Sequence, residues 1–272
     1  MTRPNTIPMG AGLVAIGAFG ARASLVGGVP LGRLLLGGLL TVIVTSGSML
    51  INDYHDHREG VDTEQTKPGR PLVTGEVRPD AVKLVLKYAY AVHLTLLCLV
   101  DSATMRLWVL ANTMLTYLYS VHLKPCTGLK NLVCAAIVSM AVGLGAVAMG
   151  GATALRSVVR PMVAVGGLIW HREIVMDIKD MDGDASVGTR TVPVVFGRDR
   201  ALSLSLLPLA AGILAAVSSP RSLAAALASS SLVVQAAFAL RARARGYDPP
   251  SLKCAIELAP LWLLVSLLAL CL

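Results

Sequence analysis

The chain consists of long apolar segments separated by short polar ones. A helix that crosses a bilayer needs about 20 mostly apolar residues, and the sequence offers nine windows of this kind. They lie near residues 7–27, 30–51, 80–100, 104–120, 130–150, 158–177, 200–218, 222–241 and 252–271. The first window is rich in Gly and Ala, so a cleaved signal peptide is an alternative there, but we interpret it as a span. The pattern predicts an all-α, multi-pass integral membrane protein in a lipid bilayer.

The composition excludes most soluble classes of protein. Of the 272 residues, 55% are hydrophobic and 15% are charged, and the mean hydropathy is +0.68, whereas soluble domains contain about 25% charged residues. A net charge of +8 in a polar chain would suggest a nucleic-acid partner, but these charges lie between apolar segments. We therefore expect no nucleic-acid partner and a single membrane domain over residues 1–272.

The charged residues are unequally divided between the two sides of the predicted bundle. Nine spans place the N-terminus and every second loop on one side, which we call the first side. Its basic excess predicts that this side is cytoplasmic, or the organellar equivalent. Among the 16 acidic residues only Asp101 falls on the second side, and a bias of positive charge does not explain this clustering of acids. The second side receives six of the 24 basic residues, namely Arg22, Arg33, Arg106, Arg156, Arg160 and Arg221.

Two acidic clusters follow predicted spans on the first side. The first cluster, residues 52–62, begins where the second span ends. If the helix continues for one turn, Asn52 and Asp56 share a face and Asp53 lies beside Asp56. The second cluster, residues 173–184, ends the sixth span. It repeats carboxylates at helical spacing, at Glu173, Asp177, Asp180 and Asp184.

Carboxylates stacked on one helix face repel one another, so a bound cation is expected among them. Oxygen ligands favour a hard cation, and Mg²⁺ usually binds through a few carboxylates together with substrate phosphates. Solvated loop acids are the alternative interpretation, but acids at a helix C-terminus oppose the macrodipole. Ionisable residues at membrane depth usually serve a function. The clusters therefore predict an Mg²⁺ site for a phosphorylated substrate.

Cationic residues on the same side complete the predicted site. Lys and Arg side chains beside carboxylates can neutralise the charge of a phosphate leaving group. Zinc is not expected, because His55 and His57 are two residues apart, point to different helix faces and have no Cys nearby. His171 is a candidate proton acceptor, or alternatively a partner of Glu173. The cationic candidates are Lys67, Arg70, Lys124, Lys130 and Arg172.

These residues resemble the signatures of the UbiA superfamily of intramembrane prenyltransferases. Residues 52–62, followed by Arg-Pro-Leu-x-x-Gly at 70–75, are similar to the first signature. Asp-x-x-x-Asp at 180–184, followed by Gly-x-Arg-Thr at 188–191, is similar to the second. The two signatures come in the expected order, and the resemblance covers essentially the whole chain. It also includes Arg3-Pro4, Tyr119-Ser120 and Lys130-Asn131.

The resemblance implies a fold, an activity and a cofactor. The fold would comprise about nine transmembrane helices around a central apolar cavity capped by two acidic loops. In the implied reaction, the diphosphate of a polyprenyl donor departs with the help of Mg²⁺, and an aromatic or lipid acceptor attacks the allylic carbocation. The implied metal ligands are Asn52, Asp53, Asp56 and Asp62 for one ion and Asp177, Asp180 and Asp184 for a second.

The resemblance also assigns catalytic and substrate-binding residues. In one departure from the commonest signature, five residues separate Asp56 from Asp62, which is a longer spacing than usual. Aromatic faces can shelter a carbocation, and the candidates are Tyr88, Tyr117, Tyr119 and Trp170. The implied catalytic residues are Asp53, Asp56, Asp180 and Asp184. The implied substrate contacts are Asn52, Lys67, Arg70, Tyr119, Lys124, Lys130, Asn131, Arg172 and Arg190.

The sequence leaves three questions of function open. The segment 172–184 most resembles family members that build archaeal-type ether lipids or prenylate homogentisate-like aromatics, so the acceptor is undetermined. A membrane terpene cyclase, in which the carbocation closes on itself, is an alternative from the same superfamily. An ion channel or transporter is an alternative from another class. It would need ionisable groups along a path to both faces, and the single acid on the second side argues against it.

Overall fold

The computed structural model describes residues 7–25, 28–123 and 125–271, and all regular elements within these ranges are helical. A 3-10 turn (Arg22–Ser24) follows the first helix, and a π-helical turn (Tyr119–Leu123) extends the fourth. The predicted all-α architecture is confirmed. The α-helices are α1 (Ile7–Gly20), α2 (Leu31–Arg58), α3 (Pro79–Cys98), α4 (Ala103–Leu118), α5 (Leu129–Ser186), α6 (Val192–Phe196), α7 (Arg198–Val217), α8 (Ser222–Ala244), α9 (Pro249–Glu257) and α10 (Ala259–Cys271).

Most of these helices have the length and apolar character of membrane spans. In the described residues, six helical segments qualify by themselves: α2, α3, α5, α7, α8 and the α9–α10 pair. The 58 residues of α5 are enough for two crossings at about 1.5 Å per residue. Helices α1 and α4 are shorter, with 14 and 16 residues. If α5 is counted as two crossings and α1 and α4 are included, the described residues contain nine spans, which agrees with the prediction of about nine.

Helix α5 turns back on itself at Gly150 and Gly151. Gly151 has φ 68° and ψ −157°, a backbone conformation that glycine adopts without steric cost. Gly166 packs on Ser139 and Gly143 approaches Met162, so the segments before and after the break run antiparallel. We call residues 129–149 the first arm of α5 and residues 152–186 its second arm. The windows predicted at 130–150 and 158–177 are therefore the two arms of one helical hairpin.

Helix α1 packs against the first arm with almost no side chain between the two backbones. A Cβ atom on Gly145 would lie 2.0 Å from the carbonyl oxygen of Val14, and one on Gly17 would lie 1.9 Å from that of Val142. Any larger residue would push the helices apart. Small-residue contacts of this kind are typical of membrane helices, which associate through close packing.

Two helices extend beyond the predicted spans and carry the acidic clusters. Helix α2 continues to Arg58 and the second arm of α5 continues to Ser186. The acidic cap is therefore mainly helical, with Asp62 in the turn that follows α2. Because helix ends hold side chains more rigidly than loops do, the carboxylates of each cluster have defined directions.

Candidate active site at one end of the helix bundle

The loop after α2 folds back onto the first acidic cluster. Asp53 and Asp62 are each 6% exposed, and one arginine contacts both. Nη1 of Arg70 lies 2.5 Å from Oδ1 of Asp53, and its Nε lies 3.7 Å from Oδ2 of Asp62. The backbone N–H groups of Val61 and Asp62 donate to the carbonyl of Asp56, at 2.9 and 3.0 Å. These bonds hold the loop so that the predicted residues of the first signature converge.

Burial shapes the electrostatics of this cluster. Desolvation raises the pKa of Asp62, and the positive charge of Arg70 acts in the opposite direction. Burying a carboxylate is unfavourable unless a cation compensates its charge, so Arg70 stabilises the ionised cluster. Oδ1 of Asn52 is buried and has no hydrogen-bond partner among the described residues. Such an oxygen is suited to a cation ligand. The predicted Lys67 is exposed in the same loop.

The innermost carboxylate of the second cluster is held by the opposite arm of α5. Nζ of Lys130 lies 2.6 Å from Oδ1 of Asp177, and Nδ2 of Asn131 donates to Oδ2 of Asp177 at 2.9 Å. Asp177 is 7% exposed and Asn131 1%. The hairpin therefore brings two predicted substrate contacts, Lys130 and Asn131 at its start, together with a predicted metal ligand, Asp177 near its end.

The outer residues of the second cluster are more open to solvent. Asp180 is exposed, with Oδ1 3.5 Å from Nζ of Lys179, and Asp184 is half-buried. Arg190 is also exposed, and its carbonyl accepts a 2.5 Å hydrogen bond from Oγ1 of Thr127. This bond ties the segment after α5 to the segment before it. Lys124, another predicted substrate contact, lies outside the described residues.

Tyr119 lies between the two clusters. It begins the π-helical turn after α4, and it lines one cavity together with Asn52 of the first cluster and Glu173 of the second. The two acidic clusters are therefore at the same end of the bundle, as the sequence predicts. Short π-helical turns occur frequently at functional sites, and this one places the Tyr119 ring in the wall of the cavity described next.

A cavity of about 300 Å³ opens between the clusters and extends into the bundle. Asn52, Tyr119, Arg172 and Glu173 line its polar end. From Asn52 to Leu40 the lining follows α2 for about 18 Å. The predicted central apolar cavity is thus confirmed, and its polar end includes one residue of each acidic cluster, Asn52 and Glu173. Its inner walls include Leu13, Leu40, Val44, Val109, Ile137 and Leu144.

Helix α4 lines the cavity with residues that were not predicted from the sequence, and two of them, Trp108 and Asn112, bond to the first arm of α5. Nε1 of Trp108 donates to the carbonyl of Met140 at 2.9 Å, and Nδ2 of Asn112 donates to the carbonyl of Ile137 at 3.0 Å. Both side chains line the cavity while their polar atoms are satisfied by the first arm of α5. A Trp and an Asn four residues apart in an apolar span are the sequence signal that could have identified this wall.

The aromatic candidates for sheltering a carbocation need correction. Tyr88 and Tyr117 are 63% and 45% exposed and point away from the cavity, because they lie on the outward faces of α3 and α4. Trp170 packs against the hydrophobic core. In the described part of the chain, Tyr119 and Trp108 are the aromatic residues that line the cavity.

The fold and the site together define a class of protein: a multi-pass membrane protein whose apolar cavity opens between two clusters of carboxylates and cations. The sequence profile of the UbiA prenyltransferase family matches residues 13–267. The digeranylgeranylglyceryl phosphate synthase of Thermococcus gammatolerans is 33% identical over 204 residues, which are 74% of this chain and 69% of that protein.

Solved structures agree with this match at the level of the fold. A UbiA homolog from Aeropyrum pernix K1 has a TM-score of 0.78 and 20% identity over 98% of both chains. A UbiA homolog from Archaeoglobus fulgidus bound to DMAPP and Mg²⁺ has a TM-score of 0.68 and 18% identity over 97% of both chains. The chain belongs to the UbiA prenyltransferase family and is a membrane prenyltransferase.

Proposed function

We propose that this enzyme transfers a polyprenyl group from its diphosphate to the hydroxyl of a prenylated glyceryl phosphate lipid, with Mg²⁺ as cofactor. The cavity that begins between two acidic clusters and continues into the apolar interior carries this proposal. The name of the Thermococcus relative describes a glyceryl phosphate with two prenyl chains, which supports a lipid acceptor. The homolog bound to DMAPP and Mg²⁺ supports the class of donor and the metal.

The oxygen donors at the two helix ends fit Mg²⁺. Among the described residues, no three His, Cys, Asp or Glu side chains are grouped closely enough to hold a metal ion by themselves, so an Mg²⁺ ion here would complete its shell with water and substrate phosphates, as is typical of this ion. Bound there, Mg²⁺ would neutralise the diphosphate and stabilise it as a leaving group. The proposed ligands are Asn52, Asp53, Asp56 and Asp62 for one ion and Asp177, Asp180 and Asp184 for the other.

The cations of the site are proposed to contact the diphosphate directly. Arg70 and Lys130 each contact a buried carboxylate, so their positions beside the two acidic clusters are fixed before substrate binds. Charge that develops on a departing diphosphate is stabilised by cations already in place. The other proposed diphosphate contacts are Lys67, Lys124 and Arg190.

The apolar part of the cavity is proposed to hold the prenyl chain and to keep water from the reactive carbon. A carbocation in contact with water is consumed by hydrolysis, so exclusion of water directs it to the acceptor. The rings of Trp108 and Tyr119 can stabilise the positive charge through their faces. Asp53, Asp56, Asp180 and Asp184 are the proposed catalytic carboxylates because they hold the leaving group.

We also propose that the site faces the cytoplasm or the organellar equivalent, and that residues 1–272 form one domain. The basic excess on the first side supports this orientation. Cys126 is exposed at the site end, so a membrane-impermeant maleimide should label it only after cells are permeabilised. The labelling that is lost in a Cys126→Ser variant is the labelling of Cys126. If Cys126 were labelled as strongly in intact cells as in permeabilised cells, the proposed orientation would be contradicted.

The function is tested with purified protein in lipid nanodiscs and labelled geranylgeranyl diphosphate. A glyceryl phosphate lipid with one prenyl chain, homogentisate and no acceptor are compared, with Mg²⁺ and with EDTA. We expect Mg²⁺-dependent diphosphate release coupled to a lipid with two ether-linked chains. A prenylated aromatic, or a cyclic hydrocarbon formed without acceptor, would instead identify a different prenyl acceptor or a cyclase.

Substitutions connect that activity to the acidic clusters. We expect Asp56→Ala on α2 and Asp180→Ala on α5 each to abolish diphosphate release. Glu257→Ala is the control, because Glu257 is an exposed acid on α9 that pairs with Lys253 at 3.9 Å. Full activity in either Asp variant would contradict the assignment of both clusters to one site.

A further inference from the structure

Glu173 lies where the polar opening of the cavity meets its apolar interior. Among the described residues that line the cavity, it is the only carboxylate, and the other ionisable ones are Tyr119, Cys134 and Arg172. Asp177, a proposed Mg²⁺ ligand, is one turn farther out on the same arm, about 6 Å along the helix. Glu173 is therefore next to the place where the reactive carbon of a prenyl diphosphate would lie.

Ether formation from a hydroxyl needs a proton acceptor at that place. The bond between C1 of the prenyl group and the diphosphate oxygen breaks, and its electron pair leaves with the diphosphate. The hydroxyl oxygen then forms the new bond to C1, and its proton must be removed. Near pH 7 a Tyr hydroxyl and a Cys thiol are ordinarily protonated and Arg is always protonated. Of the ionisable groups in this wall, Glu173 can take the proton.

His171, the candidate proton acceptor from the sequence, faces another helix. Its Nδ1 lies 2.9 Å from Oγ of Ser205 on α7, and the side chain is fully buried. Oγ of Ser205 donates its own hydrogen to the carbonyl of Leu202 at 2.7 Å, so Nδ1 of His171 donates to Ser205. This bond fixes the ring against α7 and away from the cavity lining.

Arg172 holds Glu173 through an unusual contact with the last span. Its Nη1 lies 3.1 Å from Oε1 of Glu173, and its Nε donates to the carbonyl of Ile256 at 3.4 Å. In a continuous helix that carbonyl would accept from the N–H four residues later. Residue 260 is proline, which has no N–H and interrupts this ladder. The break between α9 and α10 thus leaves a carbonyl for Arg172.

We propose that Glu173 accepts the proton of the attacking hydroxyl, and that Arg172, held by the Ile256 carbonyl, positions it. Oε1 of Glu173 accepts a hydrogen bond from Arg172, so Oε2 takes the proton. Prenyl diphosphate and alcohol become ether and diphosphate, and the proton passes from Glu173 to water at the cavity opening. This inference rests on the proposed function, because only a protic acceptor requires the step.

The test separates donor binding, diphosphate release and ether formation in single-turnover experiments. For Glu173→Gln we expect donor Kd and melting temperature close to those of the parent, and ether formation slower by about 100-fold. Carbocation that finds no deprotonated acceptor should appear as prenyl alcohol or alkene. Glu173→Asp should recover part of the rate, because it restores a base at a slightly different position.

Pro260→Ala tests the positioning role without touching the cavity. The added N–H competes with Arg172 for the Ile256 carbonyl, so we expect kcat to fall by about threefold to tenfold while the donor KM stays constant. Ether formation by Glu173→Gln at the parental rate, or loss of donor binding equal to loss of rate, would overturn the proposal. If the parent itself forms no ether with any hydroxyl acceptor, the proposed function fails rather than this step.

Discussion

The two ends of the bundle contain the same type of ion pair in different surroundings. At the site end, Arg70 pairs with Asp53, whose side chain is 8% exposed. At the opposite end, Nε and Nη2 of Arg33 each donate to an oxygen of Asp101 at 2.7 Å, and the Asp101 side chain is 65% exposed. The exposed pair has the more regular two-bond geometry and borders a separate pocket at its own end, whereas the buried pair lies next to Asn52, which lines the apolar cavity.

The difference shows what burial does to a carboxylate. Water can solvate Asp101 when its partner is removed, so the pair with Arg33 adds little to stability. Asp53 has little access to water, so it requires a nearby cation at all times. In our account Arg70 supplies this charge before the substrate arrives, and Mg²⁺ with its diphosphate joins it afterwards. We therefore propose that the buried pair is part of a binding site, while the exposed pair joins the start of α2 to the turn before α4.

Removal of Mg²⁺ should have the largest effect, and it should act on the site end alone. We expect EDTA to reduce diphosphate release by at least about 1,000-fold, because both the leaving group and the carboxylates then lack their shared cation. Adding Mg²⁺ back should restore the rate. Ca²⁺ is the matched control, since its larger radius and looser geometry suit the site less well. Activity that persists in EDTA would contradict this prediction.

Arg70→Met should have the second largest effect, and it should lower both the reaction rate and the stability of the protein. We expect a rate about 100-fold lower, and a free energy of unfolding lower by about 3 kcal/mol without metal, because Asp53 and Asp62 become uncompensated. Added Mg²⁺ should recover part of that stability. Denaturant unfolding with EDTA and with Mg²⁺ measures the effect, and Arg33→Met at the exposed end is the control. Equal destabilisation by the two substitutions would remove the distinction between the ends.

Lys130→Met should reduce activity less than Arg70→Met. Asp177 keeps its hydrogen bond from Asn131 at 2.9 Å, so one partner survives the substitution. We expect a rate about tenfold to 100-fold lower, as is common when a group beside a metal ligand is removed. The double variant Lys130→Met, Asn131→Leu should lose substantially more activity than Lys130→Met alone. A double variant no worse than Lys130→Met would show that Asn131 does not support Asp177.

Asp101→Asn should produce the smallest effect, with kcat changed by no more than about twofold. The hydrogen bond from Arg33 holds the pKa of Asp101 below its usual range. The stabilisation from this pair is thus present above the ordinary carboxyl pKa and is lost as pH falls through the lowered value. Melting temperatures of parent and variant should differ slightly at pH 7 and converge in acid. A large loss of activity in this variant would contradict the contrast between the two ends.

The sequence predicted several of the contacts in the candidate site, because charged residues stand out in apolar surroundings. Asp53, Asp62 and Arg70 belong to one signature, and a buried carboxylate needs a cation close to it. That Arg70 contacts both acids depends on the turn at residues 59–70, which follows from backbone hydrogen bonds. The hydrogen bonds of this turn follow no simple periodicity in the sequence, so the turn could not be predicted from it.

The residues of the cavity wall were less predictable, because in the sequence they cannot be distinguished from apolar residues that pack in the core. Leu13 and Leu144 line the cavity, while Leu168 fills the core, and hydropathy does not distinguish them. The contact of Arg172 with Ile256 joins residues 84 positions apart in the chain. It depends on how the last span packs against α5, so the role of Pro260 could be seen only in the fold.

We propose above that two acidic helix ends, on α2 and on the second arm of α5, form one Mg²⁺-dependent diphosphate site. Calorimetry of geranylgeranyl diphosphate binding, with Mg²⁺ and with EDTA, tests it most directly in the parent, Asp56→Asn and Asp180→Asn. We expect Mg²⁺ to tighten binding to the parent and either substitution alone to remove most of that gain in affinity. Equal affinity with and without Mg²⁺, or a gain that survives in either variant, would contradict it.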